Sequence, residues 1–397
     1  MDAIEELLIR GVDHIYPSRE ALEKVLRSGK KLRLYQGFDP TGIQFHIGHA
    51  VGLRKLRQWQ DLGHHVIFLI GDGTGQAGDP SGKTRAREKF LTLKELKTNA
   101  KDYVMQAKKI VRFTGENPAE ILYNSDWLNK LTLVDILDIA GRVSLQQMVE
   151  RDLYQDRLRT GESMSLREFF YPLLQGYDSV AMKVDLELGG SDQMFNMLMG
   201  RQLVKSFQNR EKFVMTVPLL TDSKGTKIGK TEGNVIGITD APNEFFAKIM
   251  SLGDDAIIPC FTLLTDVPMD DIKTMEQQMK HGANPMTFKL QLAHQLTAWL
   301  NSEKAADAAQ KDFGARFQKG ELTHADIPEF KTEKSKWNPV DLLVESKLAA
   351  SKSDARRLIM QKAVEIDSKV IENTSITLEN NAILKVGKKK LLKIKIL

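Results

Sequence analysis

A single cysteine, Cys260, excludes an internal disulfide and any metal site built on several thiolates. No apolar run approaches the ~20 residues that span a bilayer, and the longest lies near Val66–Ile70. The opening residues MDAIEELLIRG are acidic and amphipathic, without the basic start or apolar centre of a signal peptide. No membrane partner is expected, and the cytoplasm is the expected location. There is no internal repeat and no low-complexity tract. Most of the chain also lacks an excess of either charge, since the first 336 residues hold 45 basic and 45 acidic side chains. The net charge of +5 falls entirely on Trp337–Leu397, with 12 Lys+Arg against 7 Asp+Glu. A basic segment on a neutral body points to a polyanionic partner; a solvated tail is the other reading. The glycines of Gly71-Asp-Gly-Thr-Gly75 are not closed by GK[ST], which excludes a Walker loop.

What is present fits a globular chain of two or three domains: 397 residues, 42% hydrophobic and 27% charged. Residues 1–30 read as helical. Lys31–Phe38 alternates like a strand and ends in the turn Asp39-Pro-Thr-Gly. A helix is expected from about Ile47 to Leu62, closed by Gly63, and His65–Ile70 reads as a second strand before the glycine-rich stretch Gly71–Gly82. Strand, loop, helix and strand in that order predict a βαβ unit and a parallel sheet. Helical patterns dominate Leu93–Phe113 and Leu131–Gln155, and Lys183–Leu188 and Val214–Leu220 are further strand candidates. From Asn243 the chain turns helical. Asn284-Pro285 is a helix start, followed by Phe288, Leu292, Leu296, Trp299 and Leu300 on one face. Asn301–Lys336 has few apolar anchors and reads as a linker region. Asn338-Pro339 opens another helix, Ser353–Lys362 a second, and the end is stranded, with Lys393 and Lys395 opposite Ile394 and Ile396.

Two constellations carry chemistry. His46-Ile-Gly-His49 follows the first strand and loop at a helix start. The i, i+3 spacing puts both imidazoles on one face, where free N–H groups already favour phosphate. Two imidazole donors could stabilise charge developing on a phosphate, and Gly48 could let a flat base approach the helix. A packing pair at a helix start is the alternative. Second, Lys227 and Lys230 with Thr231 lie in the glycine-bracketed loop TDSKGTKIGKTEGN and could close over a pyrophosphate. By itself this is also a common kind of surface loop.

HIGH after the first strand, with a KMSKS-like lysine loop about 180 residues later, resembles the paired signature of class I aminoacyl-tRNA synthetases. The loop departs from that pattern at Ile228 and Gly229. Tyr35, GFDPT (Gly37–Thr41), GDPSGK (Gly78–Lys83), YPLLQGYDS (Tyr171–Ser179) and GGSDQ (Gly189–Gln193) sharpen the likeness to tyrosyl-tRNA synthetases of bacterial type, in order, over essentially the whole chain. The resemblance implies an α/β fold. A Rossmann-like parallel-sheet catalytic domain over 1–240 is followed by a helical anticodon-arm-binding domain over 241–330. A linker over 331–338 leads to a small α+β RNA-binding domain over 339–397, which resembles that of a ribosomal small-subunit protein.

The same resemblance implies the site. Tyr35 and Asp178 are expected to take the phenol hydroxyl. Asp79, Tyr171 and Gln175 are expected to take the ammonium, with Asp39 and Gln193 at the same amino-acid end. Tyr171, Gln175 and Asp178 have the i, i+4, i+7 spacing of one helical stripe, and Pro172 is expected to limit where that helix begins. Gly37, Thr41, His46, Gly48, His49, Lys83, Arg87, Gly190, Asp192, Lys227 and Lys230 are expected around ATP. His46, His49, Thr41, Lys227, Lys230 and Thr231 are the expected catalytic groups, and no metal site is expected on the protein. Some relatives place a thiol or hydroxyl where Gln36 and Gly52 stand, which leaves the sugar contacts open. Arg356, Arg357, Lys388, Lys389 and Lys390 are expected to track a phosphate backbone, the last three in a turn between strands. Implied partners are tRNA(Tyr), tyrosine and ATP with Mg2+ as substrate, no permanently bound cofactor, and a second copy of the chain in a homodimer. The rival readings are a tryptophanyl-type synthetase, a catalytically silent RNA-binding paralogue, and a small nucleotidyltransferase. The last is about half as long and lacks the RNA segment.

Overall fold

The computed structural model describes residues 2–42, 44–81, 90–163, 165–222, 225, 227–228, 235–315, 329–332, 334, 336–346, 348–349, 351–366, 369–371, 375–378, 382–387 and 390–396. The chain divides into two compact units, Met1–Gln310 and Lys311–Leu397.

The first unit is built on a six-stranded sheet: β1 (His14–Tyr16), β2 (Arg33–Phe38), β3 (His65–Ile70), β4 (Glu120–Tyr123), β5 (Leu186–Gly190) and β6 (Phe213–Val217). The order is β1-β6-β5-β2-β3-β4, with only β1 antiparallel. Ile67, Phe68, Leu69 and Ile70 are all buried, as a strand covered on both faces requires. The order reverses at β2, between β5 and β3. Such a switch point leaves a crevice beyond the carboxyl ends of the strands, and the cavity described below is lined from β2 and β5.

Several elements depart from the sequence reading. Residues 1–30 are not all helical, because β1 pairs with β6 between the helices Ala3–Ile9 and Arg19–Arg27. A three-residue edge strand is too short to show alternation. β4 escaped for the same reason. Leu131–Gln155 holds separate helices, Leu133–Ala140, Leu145–Val149 and the start of Asp152–Thr160, the first two capped by Thr132 and Ser144. β5 starts at Leu186 rather than Lys183, which has a left-handed backbone. Pro172 lies inside the helix Leu166–Ala181, not at its start. It cannot donate to the Glu168 carbonyl, which instead accepts from the Tyr154 hydroxyl at 3.2 Å.

The helices expected after Asn243 are present. Asn284 caps Pro285–Leu300 by accepting from the Met286 N–H. They do not form a unit of their own: residues up to 310 belong with the sheet, and Arg54 donates to the Thr265 carbonyl at 2.8 Å.

Of the stretch expected as linker, most of the described residues lie in helix or strand. Glu303–Phe313 is a helix, and Glu329–Thr332 and Lys336–Trp337 are strands. The second unit contains β7 (Glu329–Thr332), β8 (Lys336–Trp337), β9 (Val364–Ile366), β10 (Lys369–Val370), β11 (Ile376–Thr377), β12 (Ile383–Val386) and β13 (Lys390–Ile396). β7 pairs in parallel with β13, and β8 pairs with β11. The sequence hides this because the partners lie about 40 residues further on for β8 and 64 for β7. The helices Pro339–Glu345 and Lys352–Met360 cover a core that includes Leu342, Leu343, Ala355, Val364, Leu384 and Ile394. Ile394 is buried and Lys395 exposed, as the alternation requires.

Candidate active site

A cavity of about 880 Å³ opens beyond the carboxyl ends of β2 and β5 in the first unit. At one end Tyr35 of β2 stands opposite Glu187 of β5 in register. The Tyr35 hydroxyl shares a 3.0 Å hydrogen bond with the Ser179 hydroxyl. Asp178 is 1% exposed, and its carboxylate oxygens accept from Asn124 Nδ2 at 3.0 Å and Trp127 Nε1 at 2.7 Å. Burial pushes the Asp178 carboxyl well above the usual carboxylate range, while those two donors act against that. Burial likewise raises Tyr35 and Tyr171, keeping both phenols protonated at neutral pH.

Next along the wall stand groups that can receive an ammonium. Tyr171 donates to Asp39 Oδ2 at 3.0 Å and Thr74 to Asp39 Oδ1 at 2.7 Å. Asp79 accepts from Gln193 Nε2 and from the Ser81 N–H, each at 2.9 Å. Gln175 Nε2 donates to Glu187 Oε1 at 3.0 Å. Thus Tyr171, Gln175 and Asp178 line one cavity from one helix, as their spacing requires.

The histidine pair forms a reciprocal cap on the helix Ile47–Asp61. His46 Nδ1 accepts from the Gly48 N–H at 3.1 Å, and His49 Nδ1 accepts from the His46 N–H at 3.2 Å. Both rings therefore carry their proton on Nε2 when neutral, and both residues line the cavity. The packing role and the phosphate role are compatible, since one nitrogen caps and the other can donate. A Cβ on Gly48 would lie 2.9 Å from the His46 ring, so the cap itself requires glycine there. Gln36 occupies the space a Cβ at Gly52 would need, which ties these two residues together.

Gly37, Thr41, Gly190, Asp192 and Lys227 also line the cavity. Lys227 Nζ pairs with Asp192 Oδ2 at 3.1 Å near the surface. An exposed pair of this kind is worth no more than about 1 kcal/mol, so a ligand can separate it cheaply. The loop stem is anchored by the Ile228 N–H donating to the Leu220 carbonyl at 2.8 Å. Lys83, Arg87, Lys230 and Thr231 lie outside the described residues, as do Lys388 and Lys389. In the second unit, Arg356 and Arg357 are exposed on the helix Lys352–Met360, with Arg357 bonded to Asp354 at 2.6 Å. Lys390 begins β13 instead of standing in a turn.

Sequence reasoning missed the groups that hold this site. Asn124 and Trp127 follow the overlooked strand β4. Thr74 and Ser179 lie within runs read for other residues, and Lys212 gave no local pattern. Glu187 did carry a signal, since an ionisable residue within an apolar parallel strand is anomalous.

The family of tRNA synthetases class I (W and Y) matches residues 27–318, and a tyrosine–tRNA ligase SYY-like C-terminal domain matches 320–392. The chain therefore belongs to the class I tRNA synthetases of the tryptophan and tyrosine group. Among individual relatives, it is 41% identical to the tyrosine–tRNA ligase of Mannheimia succiniciproducens, over 96% of each chain. It is 40% identical to that of Thermotoga maritima, over 98% of this chain and 96% of the relative. A C-terminally truncated mitochondrial tyrosyl-tRNA synthetase from Aspergillus nidulans superposes with a TM-score of 0.66 at 27% identity, covering 79% of this chain and 94% of that one.

Proposed function

We propose that the cavity binds tyrosine with its phenol between Tyr35 and Asp178 and its ammonium among Asp39, Asp79, Tyr171 and Gln175. The enzyme is an ATP-dependent aminoacyl-tRNA ligase: it activates tyrosine to tyrosyl-adenylate, releases pyrophosphate, and passes tyrosine to tRNA. The observation that carries the pocket reading is the pairing of a buried acceptor, Asp178, with a hydroxyl, Tyr35, on one cavity wall. A phenol can donate to the first and accept from the second. An indole N–H can only donate and would offer the Tyr35 hydroxyl no acceptor.

Activation is an in-line attack by the tyrosine carboxylate on the α-phosphate of magnesium–ATP, with Gln193 near the carboxylate and Asp192 at the ribose. No side chain forms a covalent bond. His46 and His49 donate to charge that develops on the phosphates, with Thr41 beside them, and Gly37, Gly48 and Gly190 allow the nucleotide to approach the backbone. Lys227 and Lys230, with Thr231, Lys83 and Arg87, neutralise departing pyrophosphate. The terminal ribose hydroxyl of tRNA(Tyr) then attacks the mixed anhydride. The helices from Pro242 onward contact the anticodon arm, and the basic second unit tracks RNA phosphates through Arg356, Arg357 and Lys388–Lys390.

The enzyme acts as a homodimer. Supporting this, Leu133, Val134, Leu137, Leu145 and Leu166 are each more than 60% exposed, an apolar area that association would cover. The cytoplasm is its place of action; among the described residues no helix is long and apolar enough to cross a membrane. ATP–pyrophosphate exchange with each of the twenty amino acids tests the assignment. Tyrosine alone is expected to support exchange, and exchange driven by tryptophan instead would overturn it.

A further inference from the structure

Beneath the Tyr35 hydroxyl lies a buried ionic group that the proposed chemistry does not use. Lys212 is 0% exposed, Glu187 2% and Ser179 0%. Lys212 stands one residue before β6 and reaches under β5. Its ammonium donates to Ser179 Oγ at 2.9 Å, to Glu187 Oε2, and to the Met197 carbonyl at 3.3 Å. Three protons meet three acceptors. The helix Met194–Gln208 passes so close that a Cβ on Gly200 would lie 2.6 Å from Lys212 Nζ and 3.0 Å from Ser179 Oγ. A buried ion pair adds little stability over well-packed apolar residues of the same volume, so stability alone does not account for it.

The direction of the hydrogen bonds gives it a use. An ammonium has no acceptor, so Lys212 must donate to Ser179. Ser179 then has one proton to give. It can go to Tyr35 Oη at 3.0 Å or to Glu187 Oε2 at 3.3 Å, and the contact to Tyr35 is the shorter of the two. Giving it to Tyr35 turns the Tyr35 proton away from Ser179, to be shared between the cavity and Glu187, which stands opposite in register. We propose that Lys212, through Ser179, fixes the Tyr35 hydroxyl as a donor toward the phenol oxygen of tyrosine. Lys212, Glu187 and Ser179 are thus positioning residues for substrate choice. The inference rests on the reading that Tyr35 and Asp178 take the phenol. Donors then run one way: Lys212 to Ser179, to Tyr35, to the phenol, to Asp178. A ligand group with two donors in place of one donor and one acceptor meets the Tyr35 proton head-on.

The test is Ser179→Ala, which cuts the chain and leaves the Lys212–Glu187 pair in place. Pyrophosphate exchange is measured with tyrosine, phenylalanine and 4-aminophenylalanine, whose amino group offers two N–H donors. In the variant Tyr35 is free to turn and accept. The kcat/KM for tyrosine is expected to fall about tenfold, while 4-aminophenylalanine holds or improves, so that the ratio between them drops at least that far. Ser179→Cys, with similar volume and a weaker donor, should move the ratio the same way by less, and serves if the alanine variant does not fold. Equal losses for all three substrates would make Ser179 merely structural and overturn the proposal. A wild-type enzyme that does not prefer tyrosine to phenylalanine would overturn the pocket reading itself, and the relay with it.

Discussion

Asp178→Asn exchanges one carboxyl oxygen for an NH2 and changes the shape of the phenol pocket hardly at all. The wild-type carboxylate accepts from Asn124 at 3.0 Å and from Trp127 at 2.7 Å, and still has lone pairs for a ligand. An amide has one acceptor atom. Whichever way it turns, its NH2 faces one of those two donors, so one donor of the shell loses its partner. The phenol also exchanges a carboxylate acceptor for a neutral group that is already engaged. A hydrogen bond to a charged partner is worth about 1.5–3 kcal/mol, or roughly 10- to 150-fold in kcat/KM for tyrosine. Phenylalanine lacks the hydroxyl and never makes this bond, so its use should change far less. The preference for tyrosine over phenylalanine is therefore expected to fall by about the same 10- to 150-fold, read by pyrophosphate exchange with both amino acids. Thermal unfolding of the variant separates the cost of the stranded donor from the effect on substrate choice. A preference that survives unchanged, with both substrates weakened alike, would refute the claim that Asp178 reads the hydroxyl.

Other consequences follow from the same geometry. His46→Ala should slow adenylate formation, by up to about 3–4 kcal/mol in the barrier, with little change in tyrosine affinity under stopped-flow measurement. His46→Asn, which keeps a helix-cap acceptor, should recover thermal stability without recovering the rate. Ending the chain after Gly314 should leave tyrosine-dependent exchange intact, lower aminoacylation, and flatten the salt dependence of tRNA binding. A cut after Lys336 would instead separate β7 and the start of β8 from their partners β13 and β11. His64 is 4% exposed and accepts from the Leu32 N–H at 3.1 Å, and burial pulls its pKa down to about 4, with Lys31 adding to the effect. The unfolded chain binds a proton at His64 first, near 6.5, so stability should fall between about pH 6.5 and 4 and level off below. The loss is on the order of 3 kcal/mol, and a His64→Gln variant should lack this part of the acid sensitivity in denaturant titrations at several pH values.

Contiguous motifs were legible because their geometry is local. His46 and His49 cap one helix start, and Tyr171, Gln175 and Asp178 share one helix face, so spacing alone places them together. What supports them was not legible. Glu187 reaches Tyr35 through the register of β2 against β5, and Lys212 arrives from 25 residues beyond Glu187. No window along the chain contains that relation. The same limit concealed β7 and β8, which pair only with strands that come later. β1 and β4 were missed because three or four residues do not establish a period. Glu187 was the exception: a carboxylate amid Leu186, Leu188 and Gly189 needs a buried partner, and Lys212 supplies it.

The central claim is that one cavity reads a phenol at one end and stabilises phosphate charge at the other. A crystal structure of the enzyme with tyrosine and a non-reactive ATP analogue tests it most directly. The phenol oxygen is expected within hydrogen-bond distance of both Tyr35 Oη and an Asp178 oxygen. The α-phosphate should face the Nε2 edges of His46 and His49, with the carboxylate aligned for attack on phosphorus. An aromatic ring bound away from Tyr35 and Asp178, or phosphates that avoid the histidine helix start, would contradict it.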